Sequence, residues 1–186
     1  MTGLAVVVLA GGQGSRFGSP KQLAEVDGES LLARVLTTLD GIGERQVVVL
    51  GAAAEAVAAV VPEGRWETVV CADWQAGVGA SLRAGIEVVG EAEEVLIALA
   101  DLPWLEREAA LRLLSAAADG EAEAYRAFDG ETPAHPVLIR GAMIERARHA
   151  PDAGLGPVLR EARTVAVDCA GLGVARDVDR PADLGS

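Results

Sequence analysis

The stretch that most constrains this chain is Val6-Val7-Val8-Leu9 followed by Ala10-Gly11-Gly12-Gln13-Gly14-Ser15-Arg16-Phe17-Gly18-Ser19-Pro20-Lys21-Gln22. A β-branched run of this kind suits a strand buried on both faces of a parallel sheet. It breaks into a loop with four glycines and two cations, Arg16 and Lys21. Glycine lets the backbone approach a ligand closely, and successive N–H groups in such a loop converge on anions. Strand, glycine loop and cations together point to a polyphosphate site.

Two familiar phosphate loops do not fit. The dinucleotide fingerprint needs G-x-G-x-x-G, but counting from Gly12 the sixth residue is Phe17, and the third glycine comes only at Gly18. The triphosphate P-loop needs glycine before its lysine and Ser or Thr after it, whereas Lys21 lies between Pro20 and Gln22. The whole run, L-A-G-G-x-G-S-R-F-G-S-P-K-Q, closely resembles the signature loop of the MobA-like nucleotidyltransferases. That resemblance implies that Leu9, Ala10, Gly11, Gly12, Gly14, Ser15, Arg16 and Lys21 wrap the base and triphosphate of an NTP.

Elsewhere, apolar runs with strand character alternate with helical ones. Strands are expected at 4–9, 46–50, 66–71 and 95–99, and helices at 31–39, 53–60, 81–89 and 106–118. After Gly120 strands are expected at 123–128, 136–139, 164–168 and 174–178, with short helices at 141–148 and 157–161. Such alternation predicts an α/β fold: a Rossmann-like three-layer α/β/α sandwich around a mostly parallel sheet. The resemblance narrows it to the nucleotide-diphospho-sugar transferase type. The 186 residues suit one domain, with residues 1–119 as the NTP-binding half and 120–186 as the acceptor-binding half.

Ligands of such sheets sit beyond the carboxyl ends of the strands. Ala100-Asp101-Leu102-Pro103 falls there, and a carboxylate at that edge suits Mg²⁺, which takes one or two carboxylates plus substrate phosphates. A helix N-cap is the alternative role for Asp101. The resembled family holds its metal on an A-D-x-P segment in this place. Asp177-Val178-Asp179-Arg180-Pro181-Ala182-Asp183-Leu184 resembles the family's closing D-[IV]-D-[TR]-P-x-D-L, which implies a second metal contact at Asp179 or, next, Asp177. A residue before Pro is also a natural helix cap, so Asp179 has a competing structural role. The resemblance gives Arg16, Lys21 and Asp101 the catalytic roles.

Two further segments resemble the molybdenum cofactor cytidylyltransferase branch of that family. Trp74, Gly77 and Ser81-Leu82-Arg83-Ala84-Gly85-Ile86 match W-x-x-G-x-x-x-S-L-R-x-G-[IL], which implies that Ser81 contacts the nucleotide. Arg83 is either a third site cation or an exposed helix residue. Ala134-His135-Pro136-Val137 resembles G-H-P-V, with His135 either structural or in contact with the acceptor; His149 reads as a surface residue. Pro151-Asp152-Ala153-Gly154-Leu155-Gly156 departs from the family's G-D-x-G-A-R and lacks its arginine. The loop opening L-A-G-G is more typical of the guanylyl branch, so CTP and GTP both stand.

Composition sets limits. The net charge of −12 argues against nonspecific nucleic-acid binding, which relies on a basic surface. No apolar run reaches the ~18–20 residues needed to cross a bilayer, and the first apolar segment does not read as a signal peptide, so a cytoplasmic protein without membrane contact is expected. Cys71 and Cys169 are distant and read as buried free thiols. The resemblance implies molybdopterin as acceptor, with a molybdoenzyme or its chaperone as partner.

Overall fold

A computed structural model describes residues 3–14 and 17–185. Ser15 and Arg16 lie outside the described residues. Seven strands form one sheet: β1 (Leu4–Ala10), β4 (Arg45–Leu50), β5 (Glu67–Val70), β6 (Glu94–Leu99), β7 (Ala124–Asp129), β8 (Thr132–Arg140) and β9 (Thr164–Asp168). Their order is β5-β4-β1-β6-β8-β7-β9, and only β8 runs against the rest. Helices cover both faces, giving the expected three-layer α/β/α fold.

The pleat explains the layering. In β1, Val6, Val8 and Ala10 face one core while Ala5, Val7 and Leu9 face the other. The first core is closed by α1 (Leu31–Leu39), α2 (Ala54–Ala58) and α4 (Arg107–Ala118). The second is closed by α3 (Val78–Val89), α5 (Ala142–Arg148) and α6 (Leu155–Arg160). Ser30 caps α1 by accepting the Ala33 amide at 3.2 Å, as its place before the apolar run predicts.

Two local expectations are corrected and one element is added. Residues 174–178 do not join the sheet: Val174 and Val178 are buried, but the Val178 amide donates to the Asp101 carbonyl (2.9 Å) and not to a ladder. The second helix is only Ala54–Ala58, entered through Ala53 at φ 55°. A short hairpin of β2 (Glu25–Val26) and β3 (Glu29–Ser30) precedes α1. Its turn residues, Asp27 and Gly28, both take positive φ, as a two-residue primed turn demands. Cys71 and Cys169 are free and buried. No helix among the described residues is long and apolar enough to cross a membrane.

The position of α3 depends on one glycine. A Cβ on Gly85 would lie 2.6 Å from Val7 Cγ1 and 3.0 Å from Val49 Cγ2, so the helix lies directly on β1 and β4. Glycine inside a helix costs ~1 kcal/mol relative to alanine, which makes the close approach its reason for being there. Gly85→Ala is expected to lower stability by ~1–3 kcal/mol through overpacking, despite its better helix propensity. Urea unfolding checks this, and an unchanged or raised midpoint would refute the close contact.

Candidate active site

β1 and β6 are parallel neighbours with Leu9 beside Leu99, so their carboxyl ends open at one edge. From this edge the glycine loop leaves β1 and the Ala100–Asp101 turn leaves β6. Between them and the start of α3 is a cavity of about 440 Å³ lined by Leu9, Ala10, Gly11, Gly12, Lys21, Ser81, Trp74, Leu99 and Asp101 among others.

The loop is built by close approach. A Cβ on Gly11 would stand 2.4 Å from Ser81 Oγ, and Gly14 turns at φ 62° with the Ser19 carbonyl 2.9 Å from where a Cβ would be. Gln22 is 3% exposed, and its amide nitrogen donates to the carbonyls of Ala10 and Gly12, each at 2.7 Å. This side chain fixes the loop's shape by satisfying the buried Ala10 carbonyl and the Gly12 carbonyl at once. It was not singled out in the sequence, although it directly follows the motif's lysine.

Lys21 sits in a 3-10 turn, Lys21–Leu23, that folds the loop back toward β6. Its ammonium donates to Asp101 Oδ2 at 2.6 Å, to the Val178 carbonyl at 3.1 Å and to Asp179 Oδ1 at 3.3 Å. Burial, the largest influence, pulls its pKa down, but Asp101 and then Asp179 together raise it above the ordinary 10.5. Lys21 therefore stays charged across the physiological range. Asp101 Oδ1 is buried and has no hydrogen-bond partner.

Asp179 turns to Lys21 because another carboxylate does the capping. Asp183 Oδ2 accepts the Asp179 amide (2.9 Å) and the Arg180 amide (2.7 Å), and these two bonds hold its pKa below the usual range. Asp177 is exposed and makes no ion pair among the described residues. The same-face argument for Asp177 and Asp179 assumed a strand, and residues 174–178 are not one.

Arg83 is committed elsewhere: it bonds the Ala150 carbonyl at 2.6 Å and Asp152 Oδ1 at 2.9 Å. It anchors a loop whose Asp152 carbonyl accepts the Gly79 amide (3.0 Å), covering the first turn of α3. Of the residues expected at the nucleotide, Leu9, Ala10, Gly11, Gly12, Lys21 and Ser81 line the cavity, and Gly14 shapes the loop's turn. Trp74 adds a half-buried aromatic wall. His149 is exposed, near Glu145.

A half-buried lysine facing two carboxylates beside a glycine-lined cavity, at the carboxyl edge of an α/β sheet, is an arrangement suited to a nucleotide-handling transferase domain. Residues 6–166 match the MobA-like NTP transferase domain, and the chain belongs to that family. Nicotine blue oxidoreductase of Paenarthrobacter nicotinovorans is 32% identical over 184 residues, covering 93% of this chain and 90% of that protein. The bifunctional protein GlmU of Acidithiobacillus ferrooxidans is 30% identical over 160 residues, 84% of this chain but 30% of its own length. Among solved structures, Rv0371c of Mycobacterium tuberculosis H37Rv superposes with a TM-score of 0.85 at 25% identity, covering 100% of this chain and 99% of that one. A structure of Rv0371c in complex with manganese has a TM-score of 0.79 at 24% identity, covering 98% and 96%.

His135 gives a pH-dependent term. Burial, and then the charge of Arg126, lower its pKa from 6.5 to about 4. Between these values the unfolded chain binds the proton and the folded one does not, so acid favours unfolding there. Above pH 6.5 both imidazoles are neutral and the term is constant. His135→Asn is expected to lose less stability than the wild type between pH 6.5 and 4. Urea unfolding at a series of pH values checks it, and parallel curves would refute it.

Proposed function

We propose that this protein transfers an NMP unit from CTP or GTP to the terminal phosphate of molybdopterin, or of its molybdenum-loaded form, releasing pyrophosphate. The observation that carries the reading is the Lys21–Asp101–Asp179 cluster at the mouth of the glycine-lined cavity. The acceptor rests on the ordered motif resemblance from Leu9 to Leu184. Residues 1–119 would hold the donor and 120–186 the acceptor.

An oxygen of the acceptor phosphate attacks the α-phosphorus. The bond from that phosphorus to the bridging β-phosphate oxygen breaks, and pyrophosphate leaves with the electron pair. A phosphate oxygen is already anionic, so neither a covalent enzyme nucleophile nor a general base is required. Lys21 sits where charge accumulates, and the glycine loop, held by Gln22, aligns the donor for in-line attack. Arg16 has the same charge-neutralising role by resemblance.

The residues present fit a divalent cation. Asp101 Oδ1 is a buried carboxylate oxygen without a partner, and Asp179 lies across Lys21 from it. The described residues hold no cluster of three or more metal-ligating side chains, in keeping with Mg²⁺, which completes its shell with water and substrate phosphates. Mg²⁺ held by Asp101 and Asp179 would neutralise the NTP phosphates. The product would pass to a molybdoenzyme or its chaperone, in the cytoplasm where NTPs are abundant.

A redox role is the second reading, favoured by the near full-length relative named as an oxidoreductase. The cluster speaks for transfer, because hydride transfer has no use for paired carboxylates beside a lysine. Titration with NADH separates the two: saturable binding without pyrophosphate release favours the redox reading. A nucleotidyltransferase acting on a sugar phosphate or another phosphorylated alcohol shares the donor site and is separated by an acceptor screen.

Pyrophosphate release is expected from CTP or GTP with Mg²⁺ and molybdopterin, and Asp101→Asn abolishes it. Lys21→Ala is expected to lower kcat/KM by roughly 10²–10³ with the fold intact. No release with either nucleotide, despite Mg²⁺-dependent NTP binding, would overturn the acceptor. Unchanged kcat/KM in Lys21→Ala would overturn the lysine's role.

A further inference from the structure

Of the chain's 16 lysines and arginines, Lys21 is the single lysine. The two cations are not interchangeable. Arginine grips a carboxylate with a rigid planar fork, whereas lysine is a compact point charge on a flexible stem. A charge on such a stem passes readily from one set of oxygens to another, and Lys21 lies between two such sets.

The first set is the one it touches. Lys21 Nζ stands 2.6 Å from Asp101 Oδ2, 3.1 Å from the Val178 carbonyl and 3.3 Å from Asp179 Oδ1. Hard oxygens converging on one point suit a small cation, and here that cation is an ammonium. Asp101 and Asp179 are also the residues that would hold a divalent cation, so both cations compete for the same carboxylates. The ammonium satisfies Asp101 only in part, because Oδ1 is buried and keeps no hydrogen-bond partner.

The second set lies across the cavity. Lys21 lines the space of about 440 Å³ beside the glycine loop, where a triphosphate would rest. Its backbone is fixed independently of the ammonium. The Lys21 carbonyl accepts the Ala24 amide at 3.0 Å, and the adjoining Gln22 is tied to Ala10 and Gly12. Rotation about the stem therefore swings the ammonium from the carboxylates into the cavity without unseating the loop.

We propose that Lys21 is an exchangeable occupant of the Asp101–Asp179 site. In the nucleotide-free protein its ammonium fills the place between the two carboxylates. When a metal-bound nucleotide enters, the ammonium moves to the phosphates and leaves the carboxylates to the metal. A tethered ammonium competes at high effective concentration, so metal alone binds weakly. Phosphates offer the ammonium another partner and relieve that competition. By linkage, nucleotide and metal then strengthen each other's binding by the same factor. The clasp keeps the site closed to metal until its donor arrives. This exchange rests on the divalent cation of the transferase reading, but it is visible without turnover.

A single lysine makes it visible directly. Full-length protein labelled with ¹³C at lysine Cε gives one side-chain NMR signal, that of Lys21. Asp101→Asn removes the charge at the shortest contact, and the shift it causes in metal-free protein marks release. Mg²⁺ with CTP or GTP is expected to move the wild-type signal saturably in that same direction. Mg²⁺ alone does so only at free concentrations roughly tenfold higher or more. Lys21→Met, without nucleotide, is expected to bind Mn²⁺ roughly tenfold more tightly than the wild type, with free Mn²⁺ counted by EPR. Lys21→Ala replaces it if methionine disturbs the fold. A wild-type signal that stays still, or moves the other way, while nucleotide and Mg²⁺ bind overturns the exchange. Unchanged or weaker Mn²⁺ binding without the lysine overturns it too. A signal that moves in a protein releasing no pyrophosphate overturns the transferase reading and leaves the exchange standing. Pyrophosphate release beside a motionless Lys21 signal does the reverse.

Discussion

The parallel pairing of β1 with β6 is the constraint on which the site depends. It sets Leu9 beside Leu99 and continues one step further, where the Ala100 amide donates to the Leu9 carbonyl at 3.1 Å. Glycine loop and Asp101 therefore leave the sheet from adjacent points, although ninety residues separate them in the chain. Three tertiary bonds complete the arrangement. Gln22 ties the returning loop to the end of β1, and Val178 docks its amide on the Asp101 carbonyl while its own carbonyl receives Lys21. The C-terminal segment is thus part of the active-site frame, though it belongs to no sheet.

Electrostatics follow from that frame. Among the described residues, the charge gathered at this edge is Lys21 clasped by the carboxylates of Asp101 and Asp179. The pairing keeps Lys21 protonated despite burial, so its charge does not depend on substrate arriving. Asp101 still keeps one buried oxygen without a hydrogen-bond partner. The geometry also spares Asp179 from local capping, because Asp183 has taken that task.

Periodicity made the fold legible because the seven sheet strands are apolar or β-branched runs set between turns and helices. The glycine loop and Asp101 were legible for the same reason: fold rules put both at the carboxyl edge before any side chain is placed. What escaped was tertiary. Residues 174–178 begin and end on valine as a short strand might, but the bond from the Val178 amide to the Asp101 carbonyl ties them to that turn, and local pattern carries no information on such partners. The β2–β3 hairpin has two-residue strands, too short for a periodicity window, although Asp27-Gly28 was a readable turn signal.

The question of the base changes once the loop and α3 are considered together. The openings L-A-A-G and L-A-G-G differ by one methyl at position 11, which by itself looks too small to select a nucleotide. In this fold a Cβ there would stand 2.4 Å from Ser81 Oγ, so methyl and hydroxyl contend for one space unless the serine swings to another rotamer. Gly11 thus permits a hydroxyl where an alanine loop would present a methyl. Gly51 tightens the same corner, because a Cβ on it would meet the Gly11 carbonyl at 2.4 Å, leaving the loop no room to withdraw. The feature that lines the cavity at this corner is then the Gly11–Ser81 pair, a polar group against backbone. The loop opening alone does not index the nucleotide, and a guanylyl-type opening is compatible with a cytidylyl-type helix when the serine fills the gap.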